Sequence, residues 1–397
     1  MKYREIWIAI AALGMALGTG CGMEKIPQST LPAVSVETAS TGQAQKTPDA
    51  VQNKLAQMTL EEKVYQMFIV TPEMLTGESP VTLAGEITRQ SLEAQPVGGL
   101  IYFADNLVSV EQTETMISNS QKYMADAVGI GLYIAVDEEG GKVARAAKNL
   151  GTTAFSPMAE YGARNDREEA YDIGHTIGSD LREIGFNLDF APVADVDLCD
   201  GNELGDRIFS DDPQVVANMV SGVVEGLQDA GVAATLKHFP GLGAEDGNAH
   251  DDAAVTIGRT MEELRSAEFV PFSSGIAAGA DFVMVGHQVM TGIGDTLPAD
   301  LSHKVVTEIL RDELKFSGIA VTDSHMMNTI TAMRTPAEAA VLSVQAGIDI
   351  ILMPDDLTGA AEGIVNAVHS GEITEERIDE SVLRILSHKA EMGLLKE

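Results

Sequence analysis

Short apolar runs alternate along the sequence with longer segments of helical periodicity, and a polar side chain capable of chemistry follows most of these runs. The runs span residues 98–103, 132–136, 186–190, 232–236, 282–285, 319–322 and 348–352. The polar residues that follow are Asp137, Asp195, Lys237, His238, His287, Asp323 and Asp355. In a (β/α)8 barrel of TIM type the strands end at one mouth, where the active site lies. We therefore predict an α/β fold with such a barrel. A doubly wound open sheet is the alternative, and the eighth strand is not fixed by the sequence.

The segments between the runs have the length and apolar spacing of helices. The predicted helices cover residues 168–184, 215–230, 261–278, 304–314 and 336–346, followed by a last helix over 375–392 that Thr374 can cap. Composition shows no strong break after residue 51. The sequence therefore predicts one catalytic domain over residues 49–397.

The N-terminus has the pattern of an export signal of the lipoprotein type over residues 1–21. A basic start precedes an apolar run that is too short to span a bilayer as a mature helix. The run ends in Leu17-Gly18-Thr19-Gly20-Cys21, which resembles a bacterial lipobox with its leucine one position early. We predict that Cys21 is lipidated and anchors the exported protein to the outer side of the cytoplasmic membrane. An ordinary cleaved signal, and hence secretion, is the alternative. Residues 22–48, rich in Ser, Thr, Gln, Ala and Pro, are predicted to be a flexible tether.

The net charge of -34 opposes binding to nucleic acid and to anionic membrane surfaces, because both would be repelled. Contact with the membrane is therefore expected only through the lipid anchor. Removal of the signal would leave Cys199 as the one cysteine downstream of the anchor, so an internal disulfide is not expected. The oligomeric state stays open.

The stretch from Lys237 to His250, KHFPGLGAEDGNAH, begins where a predicted core strand ends. A charge at the end of a buried strand needs a reason, because an isolated buried charge is costly. Two carboxylates at other strand ends, Asp137 and Asp323, could combine with His250 in acid/base or covalent chemistry. The sequence therefore indicates an active site at these strand ends.

Neither a metal nor another cofactor is predicted, because the sequence has no phosphate-binding glycine loop followed by lysine, no paired-histidine helix motif and no CxxC. A metal site remains an open but disfavoured alternative, since its candidate histidines are not at i, i+4 spacing. Its members would be His238, His250, His287, His325 and Asp246.

Six segments resemble glycoside hydrolase family 3, and within it the single-domain bacterial β-N-acetylglucosaminidases. They are DEEGG at 137–141, NLDFAPVADV at 187–196, GDRIF at 205–209, KHFPG at 237–241, VTDS at 321–324 and AGID at 346–349. The resemblance covers about residues 50–395. It implies a barrel fold and a retaining, two-step hydrolysis of a carbohydrate that carries β-linked N-acetylglucosamine.

The resemblance also implies roles for individual residues. Asp323 matches the nucleophile that forms a glycosyl ester, and His250 matches the general acid and base. The residues matched to sugar binding are Asp137, Arg145, Arg207, Lys237 and His238. These roles agree with the chemistry, because an anion near the anomeric carbon stabilises an oxocarbenium-like transition state while a second group protonates the leaving oxygen.

Three positions depart from the family pattern. Asn248 stands where an aspartate usually supports the acid/base histidine, Leu242 replaces a histidine, and Glu138 replaces a glutamine. An asparagine offers His250 a neutral carbonyl instead of a charged partner. Asp246, Asp251 or Asp252 could take over this support. Four residues at or near the strand ends are expected to be structural, namely the buried carboxylate Asp195, the small filler Cys199, and the wall residues His287 and His325.

The function predicted first is therefore an exported glycosidase, a β-N-acetylhexosaminidase that acts on peptidoglycan fragments or related oligosaccharides. A β-glucosidase, a β-xylosidase or a phosphorylase of the same family is an alternative. A lipoprotein that binds such sugars without cleaving them is another, although retention of Asp323 argues against it.

Overall fold

The computed structural model describes residues 46–244 and 255–396, in which eight parallel strands form a closed barrel. The strands are β1 Phe68–Val70, β2 Gly99–Ile101, β3 Tyr133–Val136, β4 Leu188–Asp189, β5 Ala233–Phe239, β6 Phe282–Val285, β7 Ile319–Ser324 and β8 Ile350–Leu352. Each strand pairs with the next, and β8 pairs with β1 to close the barrel. The register is Ile69 to Gly99, Leu100 to Ile134, Ala135 to Leu188, Leu188 to Ala233, Thr235 to Phe282, Val283 to Ala320, Val321 to Ile350 and Ile351 to Phe68. The predicted α/β fold with a TIM-type barrel is confirmed.

The strand that the sequence left open is β1, which has only three residues. It follows a helix directly, and its three side chains are buried. An apolar segment this short cannot be told from the end of a helix by periodicity. Strand β6 matches its predicted run, and the other six strands match theirs with shifts at one or both ends. The shift that matters most for the site is at the end of β5. This strand extends to Phe239, so Lys237 and His238 lie within it instead of after it.

Helices separate the strands of the barrel. The helices are α1 Lys46–Gln57, α2 Leu60–Gln66, α3 Pro72–Thr76, α4 Glu86–Ala94, α5 Val110–Val128, α6 Arg145–Leu150, α7 Met158–Gly162, α8 Arg167–Ile184, α9 Pro213–Asp229, α10 Met261–Ser266, α11 Phe269–Ala277, α12 Asn328–Thr331, α13 Pro336–Ala346, α14 Leu357–Ser370 and α15 Glu375–Glu391, with a π-type helix at Lys304–Glu313. Thr374 accepts a hydrogen bond from the backbone N–H of Arg377 at 3.2 Å, so the predicted cap of the last helix is confirmed. None of the helices in the described ranges is both long and apolar enough to cross a membrane.

The predicted helix over 261–278 is wrong, because the structure has two helices, α10 and α11, in its place. Helix α10 ends before Ala267, whose φ of -130° and ψ of -77° are not helical. Pro271 explains the break. In a continuous helix it could not donate to the carbonyl of Ala267, and its ring would clash with that carbonyl. The interruption lets Glu268 turn inward, where its carboxylate pairs with Arg259 at 2.7 and 3.0 Å.

Helix α1 begins at Lys46, inside the segment predicted as tether, and packs against α15. Its apolar residues Val51 and Leu55 are buried. The described part of the chain therefore begins in this helix, three residues before the predicted boundary at residue 49. The predicted signal, and Cys21 with it, lies outside the described residues.

Helix α15 inserts a lysine below the amino ends of the first strands. The Nζ of Lys389 donates to the Gln66 side-chain oxygen at 2.9 Å and to the Gly98 carbonyl at 2.7 Å. It also lies 4.9 Å from the centroid of the Tyr133 ring. The side chain is fully buried, and this burial lowers the pKa of Lys389 well below its ordinary value. The last helix is thereby fixed to the base of the barrel.

Candidate functional site

A cavity of about 490 Å³ lies at the carboxyl ends of the barrel strands. Its charged and polar lining consists of Asp137, Glu139, Arg145, Glu203, Arg207, Lys237, His238, Asp323 and Ser324. Its apolar lining includes Phe103, Phe190, Leu242, Met284, Met326, Met327 and Met353. Six residues that the sequence marked for substrate binding or catalysis therefore meet in one cavity, and their individual roles stay predictions.

Strand β5 carries Lys237 into this cavity, where two carboxylates compensate its charge. The Nζ of Lys237 lies 2.9 Å from the Asp137 carboxylate and 2.6 Å from that of Glu139. Its side chain is 3% exposed. Burial disfavours the charge, but the two carboxylates outweigh burial and raise the pKa of Lys237. Lys237 is therefore a fixed cation that can donate hydrogen bonds to a ligand.

Glu139 is a central residue of the site to which the sequence assigned no role. It lies in a short hairpin of strands Glu138–Gly140 and Val143–Ala144 that follows β3. One of its oxygens contacts Lys237, and Arg207 binds both oxygens at 2.8 Å each. Burial opposes ionisation, yet the positive charges of Lys237 and Arg207 lower the pKa of Glu139 to about 2. A usable signal was its position two residues after Asp137, since alternate residues of an extended segment share a face.

The neighbouring Glu138 has a different environment and positions Arg145. Its carboxylate accepts hydrogen bonds from the backbone N–H groups of Ala146 at 2.6 Å and Ala147 at 3.1 Å, at the start of α6. Burial raises the pKa of Glu138 to about 7. Arg145 is the first residue of this helix, and its guanidinium carbon lies 5.8 Å from the centroid of the Phe103 ring. Arg145 lines the cavity, and its buried Nε has no hydrogen-bond partner within the described ranges.

His238 is oriented by Asp195, which lies in the loop after β4. The Asp195 carboxylate accepts from the backbone N–H of His238 at 3.0 Å and lies 2.8 Å from its ring Nδ1. It also accepts from the backbone N–H of Leu242 at 2.6 Å. Asp195 is thus the buried carboxylate bonded to loop backbone that the sequence predicted. Because Asp195 holds Nδ1, the Nε2 of His238 is the nitrogen available to a ligand.

Asp323 lies near the end of β7 and lines the same cavity. Its Oδ1 accepts a hydrogen bond from the backbone N–H of Ser324 at 2.7 Å, which leaves Oδ2 for chemistry. Burial opposes ionisation, but positive charge at His238 and His287 outweighs it and lowers the pKa of Asp323. An ionised carboxylate with one oxygen held in place is suited to attack an anomeric carbon.

Other predicted residues fall outside the cavity or outside the described chain. Asp355 is exposed and does not line the cavity. His250, Asn248 and Asp246 lie outside the described residues. In residues 46–244 and 255–396 no group of three or more histidine, cysteine or acidic side chains is placed to hold a metal ion.

The chain is similar to known proteins along most of its length. Residues 59–388 match the family model described as the glycosyl hydrolase family 3 N terminal domain. A beta-hexosaminidase of Idiomarina loihiensis is 34% identical over 290 residues, which are 71% of this chain and 85% of that protein. A beta-hexosaminidase of Stenotrophomonas maltophilia is 37% identical over 288 residues, 70% of this chain and 82% of that protein.

Two solved structures are also similar to this one. A glycoside hydrolase family 3 β-N-acetylglucosaminidase from Paenibacillus sp. strain FPU-7 has a TM-score of 0.79 and 37% identity, with 85% of this chain and 63% of that chain covered. This chain therefore spans less than two thirds of that enzyme. A β-N-acetylhexosaminidase from Beutenbergia cavernae has a TM-score of 0.76 and 28% identity, with 84% of this chain and 99% of that chain covered.

Proposed function

Since the chain belongs to glycosyl hydrolase family 3, we propose that it is an exported, retaining β-N-acetylhexosaminidase. Its substrates are peptidoglycan fragments or related oligosaccharides that end in β-linked N-acetylglucosamine. The observation that carries the proposal is an ionised Asp323 in one cavity with four charged groups that can hold sugar hydroxyls. These groups are Asp137, Arg145, Arg207 and Lys237. The names of the similar proteins support the choice of sugar.

In the first step the sugar occupies the cavity with its hydroxyls on Asp137, Lys237 and Arg207. The Oδ2 of Asp323 attacks the anomeric carbon as the bond to the leaving oxygen breaks. His250 donates a proton to that oxygen. The product of this step is a glycosyl ester on Asp323, and its formation passes through an oxocarbenium-like transition state that the carboxylate stabilises.

In the second step a water molecule attacks the anomeric carbon and gives a proton to His250. The ester bond breaks, Asp323 leaves as a carboxylate, and the sugar is released with its original β configuration. The cationic surroundings that lower the pKa of Asp323 make it a better leaving group here.

A direct test compares purified protein lacking residues 1–21 on nitrophenyl glycosides of β-N-acetylglucosamine, β-glucose and β-xylose, with and without phosphate. We expect turnover of the first substrate and no dependence on phosphate. A preference for the glucoside or the xyloside would identify the protein as a β-glucosidase or a β-xylosidase. A product that contains phosphate would identify it as a phosphorylase. Sugar binding without turnover would favour a binding lipoprotein.

The substitution His250→Ala should separate natural from activated substrates. On a natural disaccharide the turnover should fall by about a hundredfold or more, because the leaving oxygen loses its proton donor. On a nitrophenyl glycoside the loss should be smaller, since that leaving group needs little protonation. Azide should restore turnover by attacking the glycosyl enzyme, which nuclear magnetic resonance of the β-glycosyl azide product would detect.

Asn248→Asp is the companion variant to His250→Ala. A carboxylate next to His250 should stabilise the imidazolium and increase turnover on the natural disaccharide. If it leaves turnover unchanged, another acid such as Asp246 already supports His250. Full activity of His250→Ala on the natural disaccharide would show that the general acid lies elsewhere.

We also propose that Cys21 anchors the protein by a lipid, as the N-terminal sequence indicates. The substitution Cys21→Ser should move the protein from the membrane fraction to the soluble fraction, because the thiol that would carry the lipid is removed. Fractionation followed by immunoblotting measures this shift. Cys199→Ser is the matched control and should stay with the membrane. Equal membrane association of Cys21→Ser and wild type would contradict the anchor.

A further inference from the structure

Two histidines and one aspartate form a buried network directly beside the carboxylate Asp323. His287 and Asp300 are 0% exposed at their side chains, and His325 is 2% exposed. One Asp300 oxygen lies 3.0 Å from the His287 Nδ1, and the other lies 2.9 Å from the His325 Nε2. We call these three residues the His–Asp–His network. None of these three residues lines the cavity, so the proposed mechanism leaves the network unexplained.

The network reaches the site through the backbone of β7. The His287 Nε2 lies 2.9 Å from the carbonyl oxygen of Ser324, the residue next to Asp323. A carbonyl oxygen carries no proton, so Nε2 must be the donor in this bond. The backbone N–H of the same Ser324 donates to the Asp323 Oδ1 at 2.7 Å. Ser324 is therefore bonded to His287 through its carbonyl oxygen and to the Asp323 carboxylate through its N–H.

The hydrogen bonds also fix the charge of the network. With Nε2 already protonated, the Nδ1 of His287 can bond to an ionised Asp300 only as a second donor, which makes the ring an imidazolium. The His325 Nε2 donates to the other Asp300 oxygen, while its Nδ1 has no partner in the described part of the chain, as expected of a neutral ring. In agreement, Asp300 outweighs the effect of burial and raises the pKa of His287 to about 9.

Backbone pairing explains why Asp300 stays in place. Its N–H donates to the Gly286 carbonyl at 3.1 Å, and the N–H of Ala299 donates to the Gln288 carbonyl at 3.0 Å. The 3-10 turn Ala299–Leu301 is therefore hydrogen-bonded to Gly286 and Gln288, the two residues that flank His287. The backbone of the turn is held by these bonds and the buried carboxylate lies between the two histidine rings, so Asp300 remains the counter-ion of His287.

We propose that His287, kept cationic by Asp300, is a positioning residue that holds the Asp323–Ser324 segment and keeps Asp323 ionised. The inference rests on the proposed role of Asp323 as nucleophile. The ionisable groups placed around His287 are Asp300 from the turn, Asp323 in β7 and His325 after β7. His287 touches no substrate, and its effect reaches the reaction through Asp323.

The test uses Asp300→Asn, which keeps the shape of the side chain and removes the counter-ion. The neutral amide should leave His287 as a neutral ring that still donates to Ser324. Asp323 then loses a neighbouring positive charge, so the acid limb of the kcat/KM profile should move to higher pH by about one unit. His287→Gln should give a shift of the same sign, and serves as the second variant if Asp300→Asn does not fold.

Asp281→Asn is the matched control, because Asp281 also lies beside a histidine, His388, at 3.5 Å, but at the amino end of β6. It should leave the acid limb unchanged. Nitrogen-15 spectra, with His287 assigned by its loss in His287→Gln, should show both ring nitrogens protonated at pH 7.5 in wild type and one in Asp300→Asn. A neutral His287 in wild type would overturn the proposal.

Mass spectrometry of acid-quenched enzyme distinguishes this inference from the proposed function. A glycosyl adduct on the peptide that contains Asp323, together with the shifted acid limb, supports both. An adduct on Asp323 with an unshifted limb in both variants leaves the function standing and overturns the role of His287. An adduct on another residue overturns the nucleophile, and the positioning role with it.

Discussion

The substitution Asp323→Asn is expected to reduce turnover by at least about ten-thousandfold, since removal of a catalytic nucleophile has effects of this size. The amide keeps the volume of the side chain but cannot form the glycosyl ester. The fold should survive, because Asp323 makes no ion pair within residues 46–244 and 255–396 and β7 is anchored by its backbone. Steady-state kinetics and circular dichroism of the purified variant measure the two effects.

Asp355→Asn is the matched control for this prediction. Asp355 follows the next strand, β8, but it is exposed and does not line the cavity. Its substitution should change turnover by less than about twofold, as is usual for surface changes away from a site. Residual activity of Asp323→Asn above about a tenth of wild type would assign the nucleophile to another residue.

The second large effect is expected from Glu139→Gln, which acts on stability and activity together. Glu139 has a pKa of about 2 in the folded protein against an ordinary value of 4.5. A depressed pKa contributes stability above pH 4.5, here about 3 kcal/mol, and this stability is lost as the pH falls towards 2. The variant should therefore unfold more easily at pH 7, while the difference from wild type should shrink below pH 5. Urea unfolding at several pH values measures this trend.

The same variant should lower kcat/KM by about a hundredfold. Without the shared carboxylate, Lys237 and Arg207 lose the group that fixes their separation, and small misplacements of binding groups have effects of this order. Glu61→Gln, at an exposed position of α2, is the control and should change neither quantity. A difference in unfolding free energy between variant and wild type that does not depend on pH would show that Glu139 does not stabilise the fold through its charge.

Several site residues could be predicted from the sequence because their signal is local. Asp137 directly follows the core strand β3, while Lys237 and Asp323 lie near the carboxyl ends of β5 and β7. A charge at the end of a buried strand indicates a function, because an isolated buried charge is costly. Glu139 was not assigned, although its position two residues after Asp137 was a usable signal, because its role depends on Arg207, which is 68 residues away in the sequence. Asp300 was missed for the same reason, because its partners His287 and His325 come from separate loops.

The fold divides in the same way between local and distant causes. Strand β6 was predicted to the residue, because burial on both faces leaves a continuous apolar signal. Strand β1 was not, since its three residues become a strand only by pairing with β8 and β2. The break before α11 had a local signal in Pro271 that the apolar periodicity masked.

The buried amine of Lys389 gives this fold a built-in chemical reporter. Burial lowers the pKa of Lys389 well below its ordinary value, and reagents cannot reach the amine while α15 covers the base of the barrel. Acylation of Lys389 requires the last helix to detach from Gln66 and Gly98. The rate at which this one side chain is modified therefore counts the openings of the barrel base, independently of any event at the catalytic mouth.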